Sequence, residues 1–464
     1  METPKTPSAA VGHTDVTVEA ANHEDTDTAT SDVAQEPFQA SGGSSFTVNN
    51  SRIYNSDHVS LIRRRAKWMP LKAGRLRNSL LSTMGLLELA NAGDFAANVW
   101  NQIPVPIYAI VFMALGGTLA LVISILALKD TLLSWDNVCY LRQERRVLKE
   151  EKSERIRRGQ SVIFIDTLLD LNFRELGSEI MNRFGLDICS GFGAFLISIG
   201  TYMAIGGANH RIWFASNLLS GYIGNGPIAL YGCVNVVWST YVFLRAYEHR
   251  NLAVSHLRFQ DGQAKNLVGR RTRNVHIYTV ASGVSSLVGG AASMVTATRW
   301  QGYVALIPVI LSSMFYNSWL RRTVSYDRPP VGEPSNLTED TVIRELELSN
   351  VKSRLIKDQS LPLHKMVPEG TSLEAVLHFI TVNDLLENLC VRLMQDGAIS
   401  DVLADHEAKD ITIEARYLLQ LPKEFHAKII EVMTETIRKD GPQHFEYRQR
   451  YLAEVLGSIL HSSY

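Results

Sequence analysis

The sequence predicts an all-α fold: a polytopic helical membrane protein with about five transmembrane helices, an interfacial or re-entrant helix, and a helical soluble C-terminal tail. Three observations lead there. Uncharged runs cover residues 95–128, 188–210, 212–244, 274–298 and 300–320, and roughly 20 apolar residues cross a bilayer's hydrocarbon core as a helix. The remaining residues are rich in charge, 46 Lys+Arg against 47 Asp+Glu for a net charge of −1. Bases also cluster beside the runs. A hydrophobic fraction of 46% is ordinary for a soluble protein. Its distribution excludes a purely soluble enzyme, a fibrous protein and a disulfide-knit secreted domain.

Residues 1–50 hold eight acids and one base, Lys5, with few aromatics. Such a segment buries too little apolar surface to offset its ordering entropy, so disorder is expected there. Residues 51–78 reverse the sign: Arg52, Arg63, Arg64, Arg65, Lys67, Lys72, Arg75 and Arg77 face Asp57 alone. Two compatible roles follow for this juxtamembrane stretch. It holds anionic lipid headgroups, at about 1 kcal/mol per base near the surface, or it only orients the chain.

Residues 79–93 are apolar with helical period except for Glu88. A charge at mid-bilayer costs about 2.5–3.5 kcal/mol on insertion scales, which favours an interfacial or re-entrant helix over a full span. Pro104 and Pro106 then forbid regular helix and pre-set an extended entry into the first span. That span runs over 105–128 and is stopped by Lys129-Asp130. The loop 129–187 carries 11 bases and 11 acids. Within it, Leu141–Arg158 reads as a charged helix laced with i,i+4 pairs, and the segment after Gly159 as an amphipathic helix on the membrane surface.

Spans two and three are predicted at 188–208 and 222–244, and spans four and five at 277–298 and 300–320, the last pair forming a tight hairpin at Arg299-Trp300. The loop 245–275 has seven bases and two acids. Residues 326–370 read as a linker through Pro329, Pro330 and Pro334. The segment 371–464 reads as a cytosolic helical domain, with helices from Thr371 to Gln395, at 423–439 and at 444–460. Bases mark the cytosolic side, which places both long loops and the tail there. Five spans would then put the basic N-terminal segment outside, against the same rule. Either residues 79–100 enter the membrane as a sixth element, or the rule is broken at the N-terminus.

Small residues recur at helical spacing within the runs: Gly200, Ala204 and Ala208 in span two, and Ser285, Gly289 and Ser293 in span four. They let helix backbones approach closely. Packing within the chain is the favoured reading, and a pore or oligomer seam the alternative. Four separated cysteines, Cys139, Cys189, Cys233 and Cys390, make neither a disulfide framework nor a zinc site. No cleavable signal peptide is expected, and no cofactor. The formal glycosylation sequons at Asn49 and Asn336 are usable only on the lumenal side.

Three functional readings follow. The first is a non-enzymatic organiser or adaptor, presenting the charged helix 141–158 and the tail to a cytosolic protein partner or a second copy, with no nucleic acid involved. The second is a transporter or channel for a small uncharged or amphiphilic solute. Spans without ionisable groups argue against proton coupling in that case. The third is a membrane-bound enzyme acting on a lipid-like substrate. It would rest on Asp166 and Asp170, whose i,i+4 spacing suits Mg²⁺ but is favoured as a solvated face, and on His210. The host membrane is either the plasma membrane or an endomembrane. The stretch Asn91-Ala92-Gly93-Asp94-Phe95 through Pro104-Val105-Pro106, with its basic lead-in and following span, resembles uncharacterised fungal multi-pass integral membrane proteins. The resemblance covers residues 51–325 and implies a fungal membrane protein, with specialised metabolism as one setting. No activity or site residue transfers with it.

Overall fold

The structure is a computed structural model that describes residues 58–64, 67–70, 89, 93–100, 104–257, 262–326, 338–358, 367, 372–404 and 409–462. The acidic segment 1–50, the bases Arg65, Lys72, Arg75 and Arg77, most of 79–93 and both sequons lie outside them. Among the described residues, five segments are long and apolar enough to cross a membrane.

The first is α2 (Ile107–Arg157), 51 residues without interruption. At 1.5 Å per residue it is about 77 Å long, more than twice the apolar core of a bilayer. Lys129-Asp130 therefore ends the apolar surface but not the helix. Nothing between them and Gly159 breaks α-structure, and Gly159 closes it at φ +65°, the left-handed position a helix stop requires.

The second segment corrects the expected surface helix. α3 (Ile163–Glu179) runs through a π turn (Ile180–Gly185) directly into α4 (Leu186–Ala204). Its buried side chains Leu171, Asn172 and Glu179 face other helices rather than lipid headgroups. The expected loop between spans two and three is likewise helical: α5 (His210–Asn217), capped by Asn209, continues through a second π turn (Leu218–Ile223) toward α6 (Gly226–His256). α7 (Gly262–Thr296) and α8 (Gln301–Thr323) form the predicted hairpin.

Small residues decide how these helices approach one another. A Cβ on Gly232 would lie 2.4 Å from the Ser286 carbonyl, and one on Gly290 2.8 Å from the Ala229 Cα, so α6 and α7 touch backbone to backbone. On the adjoining face of α7, Ser285 reaches Ser312 and Gly289 meets Val309, both of α8. Gly200 of α4 packs on Ser220, and Ser216 donates to its carbonyl at 2.7 Å.

Leu89 packs deep among Ala120, Ile123, Ala127 and Ala194. Four residues on, the Gly93 carbonyl meets Gly116, and α1 (Phe95–Val99) packs on Ala109 and Met113 at the far end of the bundle. Upstream, β1 (His58–Arg64) and β2 (Lys67–Pro70) form a hairpin that adds β3 (Asp410–Glu414) on its other edge, all antiparallel, in the order β2-β1-β3. Through β3 and Leu61 this sheet belongs to the C-terminal domain. No strand was expected in the basic segment, because seven bases masked a short alternation of Val59 and Leu61, which point into the C-terminal core.

The expected linker also differs. Within it, α9 (Glu339–Lys357) is capped by Thr338, carries Glu339 and Asp340 in its first turn and buries Val342, Leu346 and Ile356. The predicted helix after Thr371 divides at Asp384, whose φ of 57° separates α10 (Leu373–Val382) from α11 (Leu386–Leu393). Beyond α12 (Gly397–Leu403), β3 and α13 (Ala415–Gln420), the two predicted final helices are one, α14 (Lys423–Ser462). It continues through Pro442 despite the missing N–H, because α9 packs along it there, with Ile356 against Gly441.

Gly116 offers a direct test of its contact with Gly93. A Cβ there would meet the Gly93 carbonyl at 2.1 Å, whereas Gly226 has nothing within 4 Å. Gly116→Val should therefore cost about 1–3 kcal/mol or more by overpacking, read as a lower unfolding temperature in detergent. Gly226→Ala should leave that temperature nearly unchanged.

Candidate functional site

The last turns of α14 enter the bundle. From Tyr451 to Leu460 every residue is buried, and Glu454 is the single charge in that stretch. An ionised carboxylate survives such burial only when paired and hydrogen-bonded. Arg174 of α3 donates to its Oε2 at 2.6 Å and Arg271 of α7 to its Oε1 at 2.8 Å. His249 of α6 lies 3.8 Å away, and Gly457 supplies the room for its ring. Ser458 then accepts from Arg174 at 2.7 Å and donates to Asp170 at 2.9 Å, while Arg245 donates to Asp170 at 2.8 Å. Four helices thus converge on one carboxylate and its neighbour. Burial alone would raise the Glu454 pKa, but Arg271 and Arg174 outweigh it and hold the carboxyl below its ordinary 4.5. Burial, with Glu175 and Glu454 nearby, pushes the Tyr326 hydroxyl well above its usual 10.

A second cluster lies where α2 meets the α3–α4 segment. Asn137 donates to Glu179 at 2.7 Å, Arg183 to Glu179 at 3.1 Å, and Ser134 to Asp187 at 3.4 Å. Glu179, Arg183 and Asp187 stand four residues apart, a spacing that drifts about 40° per step in a regular α-helix. The π turn between them leaves Glu179 and Asp187 both bonded to α2, with Arg183 on Glu179, a common use of π-bulges at polar sites. Spans read as free of ionisable groups therefore carry buried ones immediately beyond their predicted ends.

The sequence-derived residues fall as follows. Arg63, Arg64 and Lys67 lie in the β-hairpin, with Arg63 stacked over Trp68 at 5.8 Å. Gly200 and Ala204 are in helix–helix contacts, and Ser285, Gly289 and Ser293 line α7. Ala208 does not pack. It is exposed in the turn after α4, which ends at Ala204. Asp170 is not on a solvated face: it is paired with Arg245 and Arg174, and Asp166 with Lys152. His210 opens α5 beside Trp213, distant in role from both carboxylates. Among the described residues no group of three His, Cys, Asp or Glu is placed to hold a metal. Glu454 was missed, although a lone acid within Tyr451–Leu460 was a readable signal.

Comparison with family models, curated proteins and solved structures finds no match to this chain. The class is carried by the fold: an all-α protein with five helices long and apolar enough to span a membrane.

Glu454→Gln should leave Arg271 without its counter-charge and Arg174 with Asp170 alone. The loss of one partner of a buried pair costs about 3–5 kcal/mol, read as faster hydrogen exchange and proteolysis across 445–462. The pH dependence has a definite sign. Because the folded pKa of Glu454 is depressed below 4.5, its stabilisation is complete above that value and is lost as pH falls through the folded pKa. Protection of α14 should be equal at about pH 7 and pH 5.5, then decline in acid.

Proposed function

We propose that the protein is a membrane-embedded organiser, a non-enzymatic helical anchor that holds its C-terminal domain in one orientation at the cytosolic face for protein partners. The observation that carries this reading is the Glu454 junction, which joins the last helix of that domain to α3, α6 and α7. A freely tethered domain would need no buried ion pair. The charged continuation of α2 beyond residue 140 adds an exposed helical surface at the same end. Base-rich flanks support the cytosolic assignment. The hairpin bases Arg63, Arg64 and Lys67, with Arg65, Lys72, Arg75 and Arg77, would favour an anionic leaflet.

One observation favours a second reading, a transporter for a small solute. Asp187 is fully buried, and its Oδ1 has no hydrogen-bond partner in the structure. Buried ionisable groups in spanning helices commonly line solute paths.

Proximity labelling from a C-terminal fusion tests the first reading against the second. The full chain should mark a reproducible set of cytosolic proteins that a bare membrane tether does not mark. Glu454→Gln should reduce that set without loss of membrane insertion. Solute flux in proteoliposomes that persists after deletion of residues 338–464, with labelling no different from the tether, would replace the organiser with the transporter.

A further inference from the structure

A cavity of about 440 Å³ opens between the charged ends of α7 and α9, lined by Gln263, Asn266, Leu267, Arg270, Asn350 and Arg354. We infer that it is an anion site built for a phosphorylated ligand. On α7 the residues follow i, i+3, i+4, i+7 spacing, and on α9 i, i+4, so two helix stripes face each other across the space. Two guanidiniums and three carboxamides surround it, and no lining residue is a carboxylate. Neither Arg270 nor Arg354 has a side-chain hydrogen bond or ion pair among the described residues.

The second observation is Asn350. It is 4% exposed, its Oδ1 accepts from Gln449 at 3.2 Å, and its Nδ2 has no partner in the structure. A buried donor left unpaired costs about 1–3 kcal/mol, and Asn350 is one of the residues that line the cavity. An acceptor inside the cavity would satisfy it. The bound group must then be an acceptor carrying negative charge, since two free arginines flank it. Phosphate oxygens meet both requirements, and guanidiniums bind them in bidentate fashion. Gln263 lies in the first turn of α7, whose dipole adds positive potential at that end. The volume falls in the range of small-molecule sites, about 300–1,000 Å³, and has room for a phosphorylated organic molecule.

Two sources share this chemistry, a soluble phosphorylated metabolite and a phosphorylated lipid headgroup. Arg270 stands seven residues before the apolar run that begins near Ile277, about 10 Å along the axis, and Gln263 about 21 Å. An inositol phosphate headgroup can reach the nearer end, and a free metabolite the whole cavity.

The test uses purified full-length protein in detergent, titrated with inositol 1,4,5-trisphosphate and with pyrophosphate at constant ionic strength. A parallel arm uses nanodiscs with or without phosphatidylinositol 4,5-bisphosphate. Saturable binding is expected, with Arg270→Gln and Arg354→Gln each weakening it roughly tenfold. Asn350→Asp, which exchanges the unpaired donor for a carboxylate, should weaken it at least as much. Arg157→Gln, at an exposed site elsewhere, should change nothing. Binding of the soluble probes identifies a metabolite site, and binding only in the lipid-containing nanodiscs identifies a headgroup site. Absence of saturable binding in both arms, or equal affinity in the three cavity variants, would overturn the proposal. Because both arginines are exposed and unpaired, their loss is not expected to unfold the chain.

Discussion

The carboxylate of Glu454 must find positive charge inside the bundle, and the course of the last helix follows from that need. Removing a glutamate from water is expensive, and its pairing with Arg174 and Arg271 repays the cost only at close range with good geometry. Such a pair is therefore weak as a source of net stability and strong as a specifier of position. Alternative seatings of α14 would strand the Glu454 carboxylate and the Arg271 guanidinium and leave Arg174 with Asp170 alone. The apolar residues Leu452, Val455, Leu456 and Ile459 supply the driving force for burial, and the ions select one register from those the apolar surface would accept.

Helix continuity carries that register from one compartment to the other. α2 and α6 emerge from the bundle without a hinge, so residues 129–157 and 245–256 inherit the direction of the segments before them. The π turns at 180–185 and 218–223 adjust phase without ending the helix. In the first of these the adjustment serves polar chemistry, since Glu179 and Asp187 both bond to α2. In the second it brings Ser220 and Gly221 against α4 and Ala297, where only small residues fit.

Strand pairing ties the basic segment near the N-terminus to the distant C-terminal domain. Strands β1 and β3 pair residue for residue, from His58 with Glu414 to Ile62 with Asp410, and this pairing requires the N-terminal segment and the C-terminal domain to share a side. The close approach of Gly93 to Gly116 packs the residues just before α1 against the middle of the apolar part of α2. The hairpin bases Arg63, Arg64 and Lys67 therefore lie beside the C-terminal domain.

What the sequence determined by itself was whatever sums along the chain. Hydropathy over some 20 residues located five apolar helices, and the two long gaps, 129–187 and 245–275, were legible as charge-rich. The small residues of α7 were legible too, since Gly and Ser at helical spacing have few uses besides close packing. Contacts between distant residues were not. Arg174 and Glu454 lie 280 positions apart, and neither residue's neighbours reveal the other. Lys129-Asp130 looked like an ending because charge ends an apolar surface, whereas a helix ends only where its backbone bonds fail, as at Gly159. Val59 and Leu61 looked like part of a basic arm because a strand at a sheet's centre is recognised by its partners, and β3 is encoded some 350 residues later. Tertiary structure alone decided these points, because burial of a charge and pairing of a strand are properties of two segments in space and of neither segment alone.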